Sequence, residues 1–332
     1  MQLSKIGEFG LIKKLRGKCT HVPKEILAGI GDDAAVIKQG NRKILITTDM
    51  LLEGIHFDLS FTTFYQLGSK FLAVNISDIF AMGGVPKYFF VSIGIPENYK
   101  QEDINELYAG ILKIAGRYGI AIAGGDTCAS RQGLILSGTL VGNAGKIITR
   151  AGARAGDGIF VTTTLGDSAM GLQLLKKQTS RKFKDKNRNA VRARSPRPYL
   201  NPNKVRPLIK KHLMPEPAPL KSTSGVTSMI DISDGLLIDL NHICDESRVG
   251  AVLYKDKIPV SRELLYAAKM MNEDPLGFAL KGGEDYNLLF TAPPDTRTTA
   301  FKIGEIVRSG RFIIDENGKK RKFRPEGYEH FK

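Results

Sequence analysis

The sequence predicts a mixed α/β protein of two domains, and three observations carry that expectation. Short apolar or alternating segments of strand length alternate with segments whose apolar residues step by three and four, the periods of sheet and helix. The chain has 332 residues, more than one small core organises and close to two units of roughly 150 residues each. Its 35 glycines exceed the usual share of about 7%, which implies tight turns and close backbone approaches. With 42% hydrophobic and 25% charged residues, wholesale disorder and fibrous repeats are excluded. No apolar run reaches the roughly 20 residues that cross a bilayer.

Met1 to Leu15 reads as a short amphipathic helix carrying Lys5, Lys13 and Lys14, without the apolar centre of a secretion signal. RKILITTD, residues 42 to 49, is an apolar strand that delivers Thr47, Thr48 and Asp49 at its end. A helix follows after His56. Its stripe of Leu67, Phe71, Val74, Asp78 and Met82 is a single face, and a carboxylate on such a face must be neutralised, paired or bound to a cation. The strand YFFVSIGIP, a helix from about Asp103 to Tyr118, and the strands IAIAGGDT and LILSGTLVG complete a first unit, residues 1–149.

RAGARAGD, residues 150 to 157, reads as the connection into a second unit, residues 150–332. That unit opens with the strand IFVTTT and a helix after Gly166 to Ser168. A basic insertion at about 178–206 comes next, then the strand MIDI running into the helix SDGLLIDLNHIC, then LKGGEDYNLLF, in which a glycine turn feeds a strand. No short-period repeat is visible, so a solenoid is not expected.

The net charge of +15 is concentrated. From Arg181 to Lys211 there are twelve basic residues against the single acid Asp185, which leaves only +4 for the remainder. Several prolines and little apolar periodicity predict an exposed insertion there. It reads either as a solvated loop or as an arm that binds nucleic acid weakly. Its only aromatics, Phe183 and Tyr199, favour the loop. Cys19, Cys128 and Cys244 form no CxxC pair, which argues against a disulfide framework or a zinc site and leads us to expect a reducing cytoplasm.

Six aspartates recur beside glycine or hydroxyl residues: Asp33, Asp49, Asp78, Asp126, Asp231 and Asp234. Each alone reads as a turn or helix cap. As a set, with flanking threonines and no His or Cys cluster, they are hard oxygen ligands that suit several Mg²⁺ ions and a polyphosphate substrate. The glycine turns at Gly124 to Asp126 and Ser233 to Gly235 read as helix openings whose N–H groups face anions. There is no GxxxxGK[ST] loop and no HRD or DFG set, so the common nucleotide-binding folds are not indicated. Taken alone, His56 reads as structural.

The ordered series GIGDDAAV, TTDMLLEGIHF, AVNISDIFAMGG, AGGDT, IDISDGLLIDL, GGEDYNLLF and GYEHF resembles the thiamine-monophosphate kinase family, of the superfamily that includes aminoimidazole ribonucleotide synthetase. The resemblance covers nearly the whole chain outside the insertion. It implies an N-terminal αβ domain that forms a barrel across a homodimer, an α/β C-terminal domain, and ATP as co-substrate with several Mg²⁺ ions. Carried over residue by residue, it implies Asp33, Thr47, Thr48, Asp49, Asp78, Asp126, Asp231 and Asp234 as metal ligands. It likewise implies Gly125, Asp126, Arg150 and Ser233 at ATP, and His56 and Glu284 at thiamine monophosphate. Two positions depart from the family pattern: Pro325 stands where an aromatic residue is usual, and Ala218 where arginine is usual.

The expected reaction is in-line phosphoryl transfer to a phosphate oxygen. A phosphate monoester with a second pKa of about 6 is already mostly ionised at neutral pH, so no general base is assigned. Selenophosphate synthetase is disfavoured because KEILAGIGDD carries no cysteine, Cys19 lying well upstream. A hydrogenase-maturation relative is disfavoured because the sequence closes on His330, Phe331 and Lys332. The alternatives are an aminoimidazole ribonucleotide synthetase-like ligase, which GGEDY and GYEHF disfavour, and an RNA-binding derivative of the fold, which would have no use for six aspartates.

Overall fold

The computed structural model describes residues 2–186 and 200–331, so the middle of the basic insertion, residues 187–199, lies outside the described residues. Helix α1 (Leu3–Lys18) opens the chain but is not the single amphipathic helix expected. Gly7, at φ 65 and ψ 177, breaks its course. Then follow β1 (Ile26–Ala28), β2 (Ala35–Gln39), β3 (Arg42–Leu52), α2 (Phe64–Ala81), β4 (Val85–Pro96), α3 (Gln101–Tyr118), β5 (Ala121–Ser130) and β6 (Ile135–Asn143). These strands make one sheet in the order β1-β2-β3-β6-β4-β5, antiparallel except for the parallel pair β4/β5.

The second half contributes β7 (Gly158–Val161), α4 (Asp167–Lys186), α5 (Pro202–Leu213), β8 (Ser228–Asp231), α6 (Leu236–Ser247), β9 (Gly250–Tyr254), α7 (Arg262–Met271), α8 (Pro275–Lys281), β10 (Leu288–Ala292), β11 (Phe301–Val307), β12 (Arg311–Ile314) and β13 (Lys320–Lys322). Its sheet runs β13-β12-β9-β11-β7-β10-β8, antiparallel except β12/β9. The protein is thus mixed α/β, with a sheet from each half. The halves share a core: Phe160, Met229, Leu288 and Phe290 of the second pack into the cluster formed by Phe71, Ile76 and Phe89 of the first.

Helix α2 positions most of the chemistry. Thr63 caps it, accepting from the Gln66 amide while the Gln66 side chain accepts from the Thr63 amide, so the helix starts at Phe64. It lies on the inner face of the first sheet, where Leu45, Phe89, Val91, Ile93, Leu136 and Leu140 are buried. Against its other side, α3 approaches at backbone contact. A Cβ on Gly68 would sit 1.9 Å from the Leu107 carbonyl oxygen, and one on Gly110 would sit 2.0 Å from that of Tyr65.

Two further expectations are corrected. Gly124 to Asp126 opens no helix; it lies inside β5, paired with Phe90, Val91 and Ser92 of β4. Gly125 is required there because it has φ 155 and its absent Cβ would lie 1.8 Å from the Val91 carbonyl oxygen. The flanks of the basic insertion are helical as well. Helix α4 extends to Lys186, and α5 begins at Pro202 behind the Asn201 cap because Val205, Leu208 and Leu213 supply a buried stripe.

Candidate active site

Three elements converge on a cluster of acids between α2 and the edge strand β8 of the second sheet. Asp33 lies in the loop before β2, Asp78 on the inner face of α2, and Asp231 at the end of β8; one carboxylate oxygen of each lies within 4.8 Å of the others. Asp49, on β3, is the neighbouring charge that weighs most on Asp78. Thr47 Oγ1 donates to Asp78 Oδ2, and Ser77 Oγ donates to Asp231 Oδ2 at 2.6 Å across the two halves. Arg150, in the connection between the halves, donates through Nη2 to Asp33 Oδ1 at 2.6 Å. Its amide donates to Asp32 Oδ1 at 3.1 Å.

One arginine does not neutralise this set. Burial raises Asp49 to about 6, and burial followed by the charge of Asp33 raises Asp231 to about 8. Asp78 is held well above the usual carboxylate range by burial and then by Asp49, Asp231 and Asp33. Asp33 is also raised by burial, against the pull of Arg150. Asp33 Oδ2 and Asp49 Oδ2 are buried with no hydrogen-bond partner. Unpartnered buried oxygens among mutually repelling carboxylates, with hydroxyls alongside and no sulfur or imidazole, fit a hard divalent cation.

The other predicted ligands lie elsewhere. Thr48 sits on the outer face of β3, its Oγ1 accepting from Thr139 Oγ1 at 3.3 Å. Asp126 is exposed on the edge strand β5, in register with the exposed Ser92. Asp234 stands in the turn after β8, where burial, and then Glu8, raise it to about 7. Asp239 of α6, not singled out in the sequence, accepts from the Asp234 and Gly235 amides at 3.3 and 3.0 Å and so holds that turn. Ser233 belongs to the same turn, and its carbonyl accepts from the Glu284 amide at 2.7 Å, joining it to the GGED loop.

Glu284 has φ 62, unusual for a residue with a side chain, and its partners explain the constraint. Oε1 lies 2.6 Å from Lys70 Nζ, and Oε2 lies 3.1 Å from His212 Nδ1, which also lies 3.2 Å from Ser168 Oγ. Burial would raise Glu284, but the charge of Lys70 and the bond from His212 reverse this and hold it at about 2. His212 is lowered, by burial first and then by Lys70. It is therefore neutral at pH 7, and it serves Glu284 as an N–H donor while Lys70 supplies the charge. Lys70 is only 2% exposed. The signal that could have revealed it is a lone lysine inside the apolar run LGSKFLAVNI, two i+4 steps before Asp78 on the same helix face.

His56 accepts the Leu52 N–H through Nδ1 at 3.1 Å, leaving Nε2 as its donor. Its pKa is lowered by burial and by His330, whose ring centroid is 5.2 Å away. The C-terminal GYEHF segment supplies that neighbour. The His330 amide donates to Glu8 Oε2 at 3.1 Å, and the Tyr328 amide donates to the Asp234 carbonyl at 3.0 Å. Pro325 to Glu329, with Ile238 and Lys281, line a cavity of about 550 Å³ beside Asp234. Ala218 is exposed.

Comparison with known proteins places the chain in a family. Residues 31–144 match the family described as AIR synthase related protein, N-terminal domain, and residues 154–316 match its C-terminal domain. The fold is thus that of an AIR synthase related protein. A thiamine-monophosphate kinase of Aquifex aeolicus (strain VF5) is 34% identical, covering 100% of both chains. One of Buchnera aphidicola subsp. Acyrthosiphon pisum (strain APS) is 36% identical, over 98% of this chain and 99% of that one. The solved structure of AaThiL complexed with AMPPCP and TMP superposes with a TM-score of 0.83 at 32% identity, covering 99% of each chain. The chain belongs to the thiamine-monophosphate kinase family.

Proposed function

We propose that this protein transfers the γ-phosphoryl group of ATP to the phosphate of thiamine monophosphate, giving thiamine diphosphate. The observation that carries the reading is the buried carboxylate cluster with two unpartnered oxygens, beside an ionised Glu284 and a neutral His56, in a chain so similar to one solved with AMPPCP and TMP. Mg²⁺ held by Asp33, Asp49, Asp78 and Asp231, with Thr47 alongside, would neutralise phosphate charge.

The chain's own residues position the reactants. The acceptor phosphate is ionised at neutral pH, so no side chain need remove a proton. His56 Nε2–H donates to an acceptor phosphate oxygen without adding charge. Glu284, fixed by Lys70 and His212, presents its exposed edge as a hydrogen-bond acceptor to thiamine. Arg150 and Ser233, with Gly125 and Asp126, contact ATP. In that role Arg150 exchanges Asp33 for a phosphate oxygen, a change of partner open to a planar guanidinium.

Thr48, Asp126 and Gly125 join the site on dimerisation in this reading. The outer face of the first sheet exposes Met50, Val85, Tyr88 and Phe90, at 52%, 49%, 53% and 39%, beside the open edge of β5. Closure across a two-fold axis into a barrel covers both the face and the edge. The divide at 149/150 separates an ATP-binding and dimerising half from its partner half. The enzyme works in the cytoplasm, where its three cysteines stay free. The test is incubation with ATP, Mg²⁺ and thiamine monophosphate, with chromatography for thiamine diphosphate. ATP consumption without that product would defeat the reading.

A further inference from the structure

Away from the acid cluster, three loops converge at one end of the second sheet: the turn from α6 into β9, the turn from β11 into β12, and the segment leaving β13. They border an open surface cavity of about 390 Å³ lined by Arg248, Arg308, Arg311, Lys322 and Arg324, with Val249, Phe323 and Pro325 as its apolar part. No carboxylate lines it. Outside the basic insertion the chain's charges nearly balance, so five cations facing one concavity are not a consequence of composition. Arg311 is paired with Asp245. Glu326, the acid nearest Arg324 in sequence, is taken by Lys281. Arg248, Arg308 and Lys322 are exposed and make no ion pair among the described residues.

Backbone geometry holds the loops in place. Arg248 ends α6 in the left-handed region at φ 57, its amide bonded to the Asp245 and Cys244 carbonyls. The Ala251 amide donates to the Gly310 carbonyl at 2.9 Å, and the Phe323 amide donates to that of Arg311 at 3.1 Å. A Cβ on Gly250 would lie 2.2 Å from Gly310 O, so the first two loops touch at their backbones. Cations fixed close together repel one another, and a multivalent anion relieves that repulsion while a concave wall focuses the field upon it.

We infer that this cavity is a second anion site, which takes a small organic compound carrying at least two phosphate groups, its cations binding the phosphates and Phe323 with Val249 the apolar part. The volume suits a small molecule. The site shares only Pro325 with the cavity lined by the GYEHF segment and contains none of the carboxylates or histidines assigned to phosphoryl transfer. It stands independently of the reaction proposed above.

The experiment is calorimetric titration of the full chain with inorganic pyrophosphate in EDTA at low salt. Without divalent metal the acid cluster repels pyrophosphate, and the double variant below separates this cavity from the basic insertion as the source of any binding. One-to-one binding is expected, weakened on the order of tenfold or more in Arg308→Ala/Lys322→Ala and unchanged in Asp49→Asn. The double variant should keep the parent's turnover in the absence of pyrophosphate, which shows its fold intact. Absence of binding to millimolar pyrophosphate, or binding that ignores the double variant, overturns the inference. Binding that responds to Asp49→Asn instead assigns the anion to the phosphoryl-transfer site and overturns it equally.

Discussion

Asp78 is surrounded by Asp49, Asp231 and Asp33, and the two behaviours expected of it point in opposite directions. Asp78→Asn removes a ligand from the cluster and should lower turnover on the order of 100-fold or more. The same change relieves like-charge repulsion, so the metal-free variant should melt at or above the parent's temperature while losing the rise that Mg²⁺ gives the parent. Parental turnover, or an unchanged Mg²⁺ response, would exclude the cluster as the metal site. Lys70 and Glu284 give the second residue-scale prediction. A carboxyl held at about 2 when folded and near 4.5 otherwise stabilises the fold above 4.5, and that contribution is lost as pH falls from about 4.5 to about 2. Lys70→Met leaves the carboxylate without its cation and should cost about 3 kcal/mol at neutral pH. It should also flatten the acid limb of urea-midpoint stability relative to the parent. Parallel acid limbs in parent and variant would show that Lys70 does not set the Glu284 proton affinity.

At the scale of elements, α2 carries Lys70 and Asp78 on one rigid body, and its placement depends on contact with α3. Gly68→Ala inserts a methyl group where the Leu107 carbonyl already stands at 1.9 Å from the Cβ position, so α3 must withdraw or α2 must shift. A loss of about 2 kcal/mol in urea stability is expected, with turnover reduced because the helix bears two parts of the site. Gly116→Ala, where a Cβ meets nothing within 4 Å, is the control and should be neutral or slightly stabilising. In the first half β3, β4, β6 and α3 were legible because each has a one-sided apolar stripe, which β5 lacks. Asp33, Asp49, Asp78 and Asp231 stood out because they recur beside glycine or hydroxyl residues, Asp78 also because it interrupts an apolar helix face. The far end of the insertion does not look helical in sequence because Pro202 resembles a breaker there, whereas in place it starts α5.

For the whole molecule, the exposed apolar face of the first sheet sets the expected assembly. Light scattering at micromolar concentration should give twice the chain mass, and Tyr88→Glu/Phe90→Glu should give a folded monomer by circular dichroism. A parent that is monomeric under those conditions would leave Met50, Tyr88 and Phe90 without the cover proposed for them. Turnover of the monomeric variant then reports on the exposed Asp126 and Gly125: it should fall along with dimerisation if the site is completed across the two-fold axis.

The sequence by itself determined the mixed α/β class, the family and the aspartates, because periodicity and the residues flanking a turn are local properties. Only the tertiary structure decided which acids meet. Asp33, Asp78 and Asp231 come from a loop, a helix and a strand, and Ser77 reaches Asp231 over 154 positions. It also separated Thr47 from Thr48, since adjacent residues of a strand face opposite ways. The network of Lys70, Glu284 and His212 joins three remote segments, none of which names its partners. Burial is what turns those contacts into chemistry: it raises the cost of an unpaired charge until the neighbours, not the residue type, fix its state.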